Sequence, residues 1–122
     1  MEKILVVDDE IEICNALRDF LSIKGYEVHT AQNGPAALEM VKNAKPHIVL
    51  LDIIMPGMDG MEVLTELRKT DTETGVVMVT AVTDQELGNK SLKMGANDFI
   101  TKPVDLKYLE TILLVKMLDF NV

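Results

Sequence analysis

Two short runs of apolar residues, each ending at acidic residues, constrain the fold of this chain more than any other feature. Residues 4–7 are followed by Asp8 and Asp9, and residues 48–51 are followed by Asp52. Buried strands of a parallel sheet appear in sequence as continuous stretches of valine, isoleucine and leucine. Because open α/β sheets bind ligands beyond the carboxyl ends of their strands, the three carboxylates are predicted to converge on one site.

The rest of the chain alternates predicted strands with predicted helices, and short loops join them. The first predicted helix carries apolar residues at Ile13, Leu17 and Leu21, which is the spacing of one helix face. Gly25 ends that helix, and Asp59 is placed to cap the third one. The strands are predicted at residues 3–7, 27–30, 47–51, 76–80 and 98–101, and the helices at residues 10–24, 35–44, 60–69, 84–94 and 106–118.

Five strand–helix units joined by short loops predict an α/β fold, a parallel sheet doubly wound with five helices. The length of 122 residues suits a single domain over residues 1–122. Two arrangements fit this size: a flavodoxin-like sheet with strand order 2-1-3-4-5, or half of a Rossmann-type sheet. In the first, the switch point lies between strands 1 and 3, which lead into Asp8, Asp9 and Asp52.

Charge and composition exclude several classes of function. With 12 basic and 20 acidic residues the chain has a net charge of −8, so on its own it is a poor binder of nucleic acid or of an anionic membrane. It has neither an apolar stretch of the roughly 20 residues that span a membrane nor a signal peptide. Cys14 is the single cysteine, which excludes an internal disulfide. These features predict a cytoplasmic protein.

The predicted cluster of carboxylates needs a cation, because like charges at one site repel each other. Carboxylate oxygens are hard ligands that suit Mg²⁺, with Mn²⁺ as the alternative. Thr80 ends the fourth predicted strand with a hydroxyl group, and Lys102 ends the fifth with an ammonium group. This combination suits phosphoryl transfer, which depends on neutralising charge and positioning the reactants. Asp52, alone at the end of a central strand, is the candidate acceptor of the phosphoryl group.

Four motifs stand in order at the ends of predicted strands 1, 3, 4 and 5. They are Val-Val-Asp-Asp-Glu at residues 6–10, Leu-Asp-Ile-Ile-Met-Pro-Gly-Met-Asp-Gly at 51–60, Thr-Ala at 80–81 and Phe-Ile-Thr-Lys-Pro at 99–103. Together they resemble the receiver domain of two-component response regulators, the CheY-like superfamily, over essentially the whole chain. The resemblance implies a signalling switch in a phosphorelay, which catalyses its own phosphorylation and slow dephosphorylation and is not a metabolic enzyme.

The resemblance assigns roles around the acceptor. It implies that Asp52 receives a phosphoryl group from the phosphohistidine of a histidine kinase. It implies that Asp9, Asp52 and the backbone carbonyl of Ile54 bind Mg²⁺ directly and that Asp8 assists through a water. Lys102 would pair with the phosphoryl oxygens.

The resemblance also implies a conformational switch. Thr80 would hydrogen-bond the phosphoryl group and move toward it, and Phe99 would then turn inward. The bond between Lys102 and Pro103 would be cis. The output face would comprise the fourth helix, the fifth strand and the fifth helix. The fourth predicted helix contains Gly88, which weakens it and makes it a candidate for rearrangement.

Partners follow from the same resemblance. A histidine kinase or a histidine phosphotransfer protein would donate the phosphoryl group, and a downstream protein or an output domain of a longer chain would read the result. A phosphorylation-dependent dimer is a further option, because residues 112–118 are more apolar than one buried helix face requires. Val104 stands where many receivers have phenylalanine, which argues against the charged dimer interface of winged-helix regulators.

Two apolar residues are predicted to tune dephosphorylation. Ile54 and Val82 each lie two positions after a site residue. We expect their side chains to limit the approach of the attacking water and to prolong the phosphorylated state.

Two other functions would share the fold or the nucleophile. A flavodoxin-like FMN-binding module would need phosphate-binding N–H donors after the first strand, where this chain has Asp8, Asp9 and Glu10. A phosphatase of the haloacid dehalogenase type would need a second aspartate two residues after Asp52, where this chain has Ile54.

Overall fold

The computed structural model describes residues 2–118, apart from the side chain of Val82, and has the predicted α/β fold. Within these residues five parallel strands form a sheet in the order β2-β1-β3-β4-β5, which confirms the flavodoxin-like arrangement. The strands are β1 (Lys3–Val7), β2 (Glu27–Ala31), β3 (Ile48–Asp52), β4 (Gly75–Ala81) and β5 (Asp98–Lys102). The helices are α1 (Ile11–Ile23), α2 (Gly34–Ala44), α3 (Gly60–Thr70), α4 (Gln85–Lys93) and α5 (Leu106–Leu118), and a 3₁₀ turn (Val82–Asp84) precedes α4.

The predicted elements agree closely with the observed ones, since the ends of each strand and helix differ by no more than about one residue. The 3₁₀ turn was not predicted. Its three residues are too few to show a periodic pattern, and the turn joins β4 directly to α4.

The sheet is buried because helices cover both of its faces. All five residues of β3 are buried, as expected for the central strand of a parallel sheet. One core packs α1 and α5 against the sheet and includes Cys14, Leu17, Leu21, Leu109, Leu113 and Met117. The other packs α2 and α3 against the opposite face and includes Ala37, Val63, Leu64 and Leu67, with Leu87 of α4 beside it.

The helix that follows β3 is firmly held at its first turn. Asp59 caps α3 as predicted: its carboxylate accepts a hydrogen bond from the Glu62 N–H at 2.9 Å, and the Glu62 side chain accepts one from the Asp59 N–H at 3.2 Å. This reciprocal pair is a capping box, which satisfies two backbone donors that the helix itself cannot.

The helix that follows β4 is held less firmly. Asp84 precedes α4 without making a side-chain cap, and the two buried residues of the helix are Gly88 and Ser91. A glycine in a helix interior costs about 1 kcal/mol relative to alanine. The prediction that α4 has poor intrinsic support is therefore consistent with the way it packs.

The last described helix is apolar on more than one face. Leu109, Ile112 and Leu113 face the core, but Leu114, Val115 and Leu118 are exposed. None of the helices within residues 2–118 has the length and apolar character needed to cross a membrane.

Candidate functional site

The predicted site residues meet at the carboxyl edge of the sheet. Asp8 and Asp9 follow β1, Asp52 is the last residue of β3, and Lys102 is the last residue of β5. Because β1 lies beside β3, the acidic residues come together at the point where the order of the strands reverses.

The centre of the site is an ammonium group between two carboxylates. Lys102 Nζ lies 3.2 Å from Asp52 Oδ2 and 3.4 Å from Asp8 Oδ2. The two aspartates are almost completely buried, with 3% of Asp8 and 4% of Asp52 exposed. One positive charge therefore faces two buried carboxylates, and this pair of carboxylates is only partly neutralised.

The pKa values reflect this imbalance. Burial raises the pKa of Asp52, and the charge of Asp8 raises it further, while Lys102 lowers it without overcoming the other two. Burial acts against the charged form of Lys102, but the charges of Asp52 and Asp8 outweigh it and leave the pKa of this ammonium raised. The site thus favours a cation and resists a second uncompensated carboxylate.

The carboxylates are close enough to share a metal ion. One oxygen from each of Asp8, Asp9 and Asp52 lies within 4.8 Å of the others. These are hard oxygen donors, and Asp9 is exposed to solvent, so water can complete the coordination of an ion such as Mg²⁺. The donor set therefore fits a hard divalent cation.

Two hydrogen bonds hold Asp8 in place in the loop after β1. Asp8 Oδ1 accepts a hydrogen bond from the Glu10 N–H at 2.9 Å, which holds its side chain toward the sheet. Cys14 Sγ, buried on α1, lies 3.3 Å from the Asp8 carbonyl oxygen and donates to it. Burial, followed by the charge of Asp8, raises the pKa of the Cys14 thiol, so the group acts as a neutral donor that supports the loop.

The loop after β3 approaches Asp52 closely because residue 60 is a glycine. The Gly60 N–H donates to the Ile53 carbonyl oxygen at 2.8 Å. A Cβ at residue 60 would collide with the backbone carbonyl of Asp52 and lie 2.7 Å from the Cα of Ile53. The sequence motif contains this glycine, but its close contact with the backbone of Asp52 is visible only in the folded loop.

A cleft of about 440 Å³ opens beside Asp52. Asp9, Ile54, Ala81 and Lys102 are among the residues that line it. The side chain of Ile54 is 58% exposed at the mouth of this cleft. Val82, the other residue predicted to tune dephosphorylation, begins the 3₁₀ turn, and its side chain lies outside the described part of the structure.

Thr80 and Phe99, the two residues predicted to move in the switch, lie on the neighbouring strands β4 and β5. Thr80 is buried, and its hydroxyl donates to the carbonyl oxygen of Asp84 at 3.3 Å. Phe99 on β5 is half-buried, and its ring lies against Gly88 of α4. The peptide bond between Lys102 and Pro103 is cis.

Comparison with known proteins agrees with this geometry. Residues 4–114 match the sequence family described as "Response regulator receiver domain". This chain belongs to that family. The match covers the receiver's five strands, all the site residues and most of α5.

Solved receiver structures share the fold along nearly their whole length. A response regulator receiver domain protein from Clostridium thermocellum is 28% identical, with a TM-score of 0.93 over 99% of this chain and 98% of that one. The receiver domain of NtrX from Brucella abortus is 35% identical, with a TM-score of 0.88 over 93% of this chain and 96% of that one.

Curated relatives are longer than this receiver. The regulatory protein AtoC of Escherichia coli (strain K12) is 39% identical over 92% of this chain but only 24% of its own length. A probable transcriptional regulator, ycf27, of Porphyridium aerugineum is 44% identical over 89% of this chain and 45% of its own length. The chain thus spans about a quarter to a half of the curated relatives it matches.

Proposed function

We propose that this receiver domain is a phosphoacceptor switch in which Asp52 accepts a phosphoryl group from the phosphohistidine of a histidine kinase or of a histidine phosphotransfer protein. The observation that carries the proposal is the Lys102 ammonium, 3.2 Å from Asp52 at the base of an open cleft. A carboxylate beside a fixed cation is prepared to bear added negative charge, which phosphoryl transfer requires.

In the transfer, one oxygen of Asp52 attacks the phosphorus atom of phosphohistidine. The new P–O bond forms as the P–N bond breaks, and the bonding electrons return to the imidazole nitrogen of the donor. Lys102 already contacts Asp52 and can hold a phosphoryl oxygen without a large movement. The step needs no proton from the acceptor, because Asp52 reacts as a carboxylate.

Asp8, Asp9 and Asp52, with the backbone carbonyl of Ile54, are the groups that would hold Mg²⁺ or Mn²⁺. The metal would neutralise charge on the transferring phosphoryl group. Asp8, fixed by the Glu10 N–H, would keep an acidic side chain at the site, while the exposed Asp9 leaves room for water beside it.

The switch is proposed to act through Thr80 and α4. The Thr80 hydroxyl has a single proton to donate, and here it donates to Asp84. To donate to a phosphoryl group on Asp52, Thr80 must release Asp84, which loosens the link between β4 and the start of α4. The face formed by α4, β5 and α5 would then change, with Phe99 turning inward.

The downstream partner is proposed to be a protein that reads this face, either a separate molecule or an output domain of a longer chain. Leu114, Val115 and Leu118 of α5 are exposed apolar residues, which suit a contact with a protein partner or a phosphorylation-dependent dimer. With its strongly acidic composition, this chain would not bind nucleic acid directly. It would act in the cytoplasm as a regulator, without multiple turnover of a substrate.

Incubation with acetyl phosphate and Mg²⁺, followed by intact-mass measurement, tests the proposal. We expect the wild-type chain to gain one phosphoryl group and Asp52→Asn to gain none. Asp19→Asn is the matched control, because Asp19 is an exposed acid on α1, remote from the cleft. Labelling of Asp52→Asn, or undiminished labelling of the wild type in EDTA, would refute the proposed chemistry.

A second experiment tests the residues beside the cleft. If Ile54 and Val82 restrict the attacking water, Ile54→Asn and Val82→Glu should each lose the phosphoryl group faster than the wild type. The measurement is the decay of the phosphorylated mass after acetyl phosphate is removed. An equal or slower decay in both variants would remove this part of the proposal.

A further inference from the structure

The ring of Phe99 occupies a place on α4 that exists because residue 88 has no side chain. Gly88 is buried under the half-buried ring. A Cβ added to Gly88 would lie 2.6 Å from Cγ and 2.6 Å from Cε2 of Phe99, and closer still to Cδ2. Ordinary carbon contacts are about 3.5–4.0 Å, so any other residue at this position would displace the ring.

The backbone of Gly88 does not itself require glycine. Its φ is not among the positive values found at Gly25, Gly57 and Gly95, and it lies in the middle of α4. Ser91 Oγ donates to the Gly88 carbonyl oxygen at 2.6 Å, so the helix remains hydrogen-bonded around it. Glycine weakens a helix interior, and the contact it permits here is the close approach of Phe99.

The Phe99 ring lies against Gly88 in a structure where the Thr80 hydroxyl is bonded to Asp84. In the structure Thr80 donates to Asp84, immediately before α4, while Phe99 lies against the middle of the same helix. Donation by Thr80 to a group on Asp52 is incompatible with that bond, because the hydroxyl has one proton. The ring on Gly88 and the bond to Asp84 are thus two contacts of the same structure, which hold α4 from β5 and from β4.

We propose that Gly88 is a positioning residue which stabilises the arrangement that opposes phosphorylation, by giving the ring of Phe99 a place on α4. This inference rests on the proposed function of Asp52. A side chain at residue 88 would penalise this arrangement and leave the alternative unaffected. A change that acts on one state of a two-state equilibrium shifts the populations of both.

The test uses Gly88→Ala with Asn89→Ala as its matched control. Both changes strengthen the helix, but Asn89 is exposed, so only Gly88→Ala adds an atom under the ring. The chain has three phenylalanines, so 4-fluorophenylalanine labelling gives few ¹⁹F signals, and Phe99→Leu identifies the one from residue 99.

We expect Gly88→Ala to move the Phe99 signal of the free protein toward the position seen in wild type with beryllium fluoride and Mg²⁺. Labelling by acetyl phosphate should become about three-fold faster or more, and Asn89→Ala should label at the wild-type rate. In the Phe99→Leu background, residue 88 should no longer affect the rate. An unmoved signal, or an acceleration that survives Phe99→Leu, would overturn the inference.

A measurement on the wild-type chain keeps the inference testable if Gly88→Ala does not fold. Nuclear Overhauser contacts between the Gly88 Hα atoms and the Phe99 ring should be present in the free protein and lost with beryllium fluoride and Mg²⁺. Their persistence would overturn the inference. Failure of the proposed function is a separate result, because it would appear as a wild-type chain that gains no phosphoryl group at Asp52.

Discussion

The helices α3 and α4 each follow a strand that carries a site residue, yet they are built in opposite ways. α3 begins with a capping box and buries Val63, Leu64 and Leu67. α4 begins after a 3₁₀ turn without a side-chain cap, and its buried residues are Gly88 and Ser91. The helix that follows Asp52 is thus firmly anchored, while the helix that follows Thr80 is weakly anchored.

The two ends of α4 also differ in how firmly side-chain hydrogen bonds hold them. At its carboxyl end Arg68 of α3 donates to the carbonyl oxygen of Gly95 at 2.9 Å and to Asn97 Oδ1 at 3.2 Å. At its amino end the described side-chain link to the sheet is the hydroxyl of Thr80. The contrast teaches that α4 is firmly held at its carboxyl end and loosely held at the end that adjoins the candidate site.

The largest expected difference is in the core contacts of the two helices. Leu64→Ala on α3 should lower the free energy of unfolding by about 3 kcal/mol, because Leu64 is fully buried. The matched change on α4, Leu87→Ala, should cost about 1 kcal/mol, since Leu87 is only partly buried. Urea unfolding measures both losses of stability. Equal losses would show that α3 and α4 are anchored equally well by their core contacts.

The next largest effect concerns the hydrogen bonds that the Arg68 guanidinium makes just beyond the carboxyl end of α4. Arg68→Ala removes three hydrogen-bond donors and should cost about 2 kcal/mol of stability. Arg68→Lys keeps the charge but cannot span the three acceptors, so it should recover only part of the loss. Lys69→Ala, on the exposed side of α3, is the control and should change stability little. If Arg68→Lys is as stable as the wild type, the three hydrogen bonds of the guanidinium do not contribute to stability as proposed.

The capping box of α3 should contribute about 1 kcal/mol to the free energy of unfolding. Asp59→Ala removes the bond to the Glu62 N–H and leaves that donor unsatisfied. The matched change before α4, Asp84→Ala, removes no side-chain cap and should alter stability less. A larger loss for Asp84→Ala in thermal unfolding would show that α4 is the better capped helix, contrary to the comparison.

The turn after α3 should show a pH-dependent effect on stability that is somewhat smaller. Burial alone would raise the pKa of Asp71, but hydrogen bonds from Thr74 and the Glu73 N–H outweigh it and leave this pKa lowered. A lowered folded pKa gives stability that is present above the pKa of the unfolded state and is lost as pH falls through the folded value. Asp71→Asn should therefore be less stable than wild type near neutral pH, by up to about 1 kcal/mol. The deficit should shrink below about pH 4, and a constant deficit would contradict the assignment.

The smallest effect is a gain of stability on α4. Asn89→Ala should raise the free energy of unfolding by about 0.5 kcal/mol, because alanine favours a helix and Asn89 is exposed. Hydrogen exchange should slow in α4 and not in α3. No change in the exchange of α4 would mean that its intrinsic support does not limit its stability.

Much of the fold was predictable because local patterns and topology agree. Continuous apolar runs identified β1 and β3, the repeat at Ile13, Leu17 and Leu21 identified α1, and Asp59 marked the start of α3. The convergence of Asp8, Asp9 and Asp52 followed from where strands end in a parallel sheet, and the structure places one oxygen of each within 4.8 Å of the others.

The remaining features depend on contacts between residues that are distant in sequence, which no local pattern reveals. Nothing near Arg68 in the sequence indicates that it reaches Gly95 and Asn97. The sequence predicts that Gly88 weakens the helix. Its contact with Phe99 depends on the packing of β5 against α4 and is seen only in the structure.

The separation of the paired charges along the chain has a consequence for biosynthesis. Lys102 and Asp8 lie 94 positions apart, and Lys102 belongs to the last strand of the sheet. A nascent chain that has emerged from the ribosome only as far as β4 carries the acids without their ammonium partner. Such an intermediate lacks the charge balance of the finished site, so the two acids depend on the last strand of the sheet for their counter-ion.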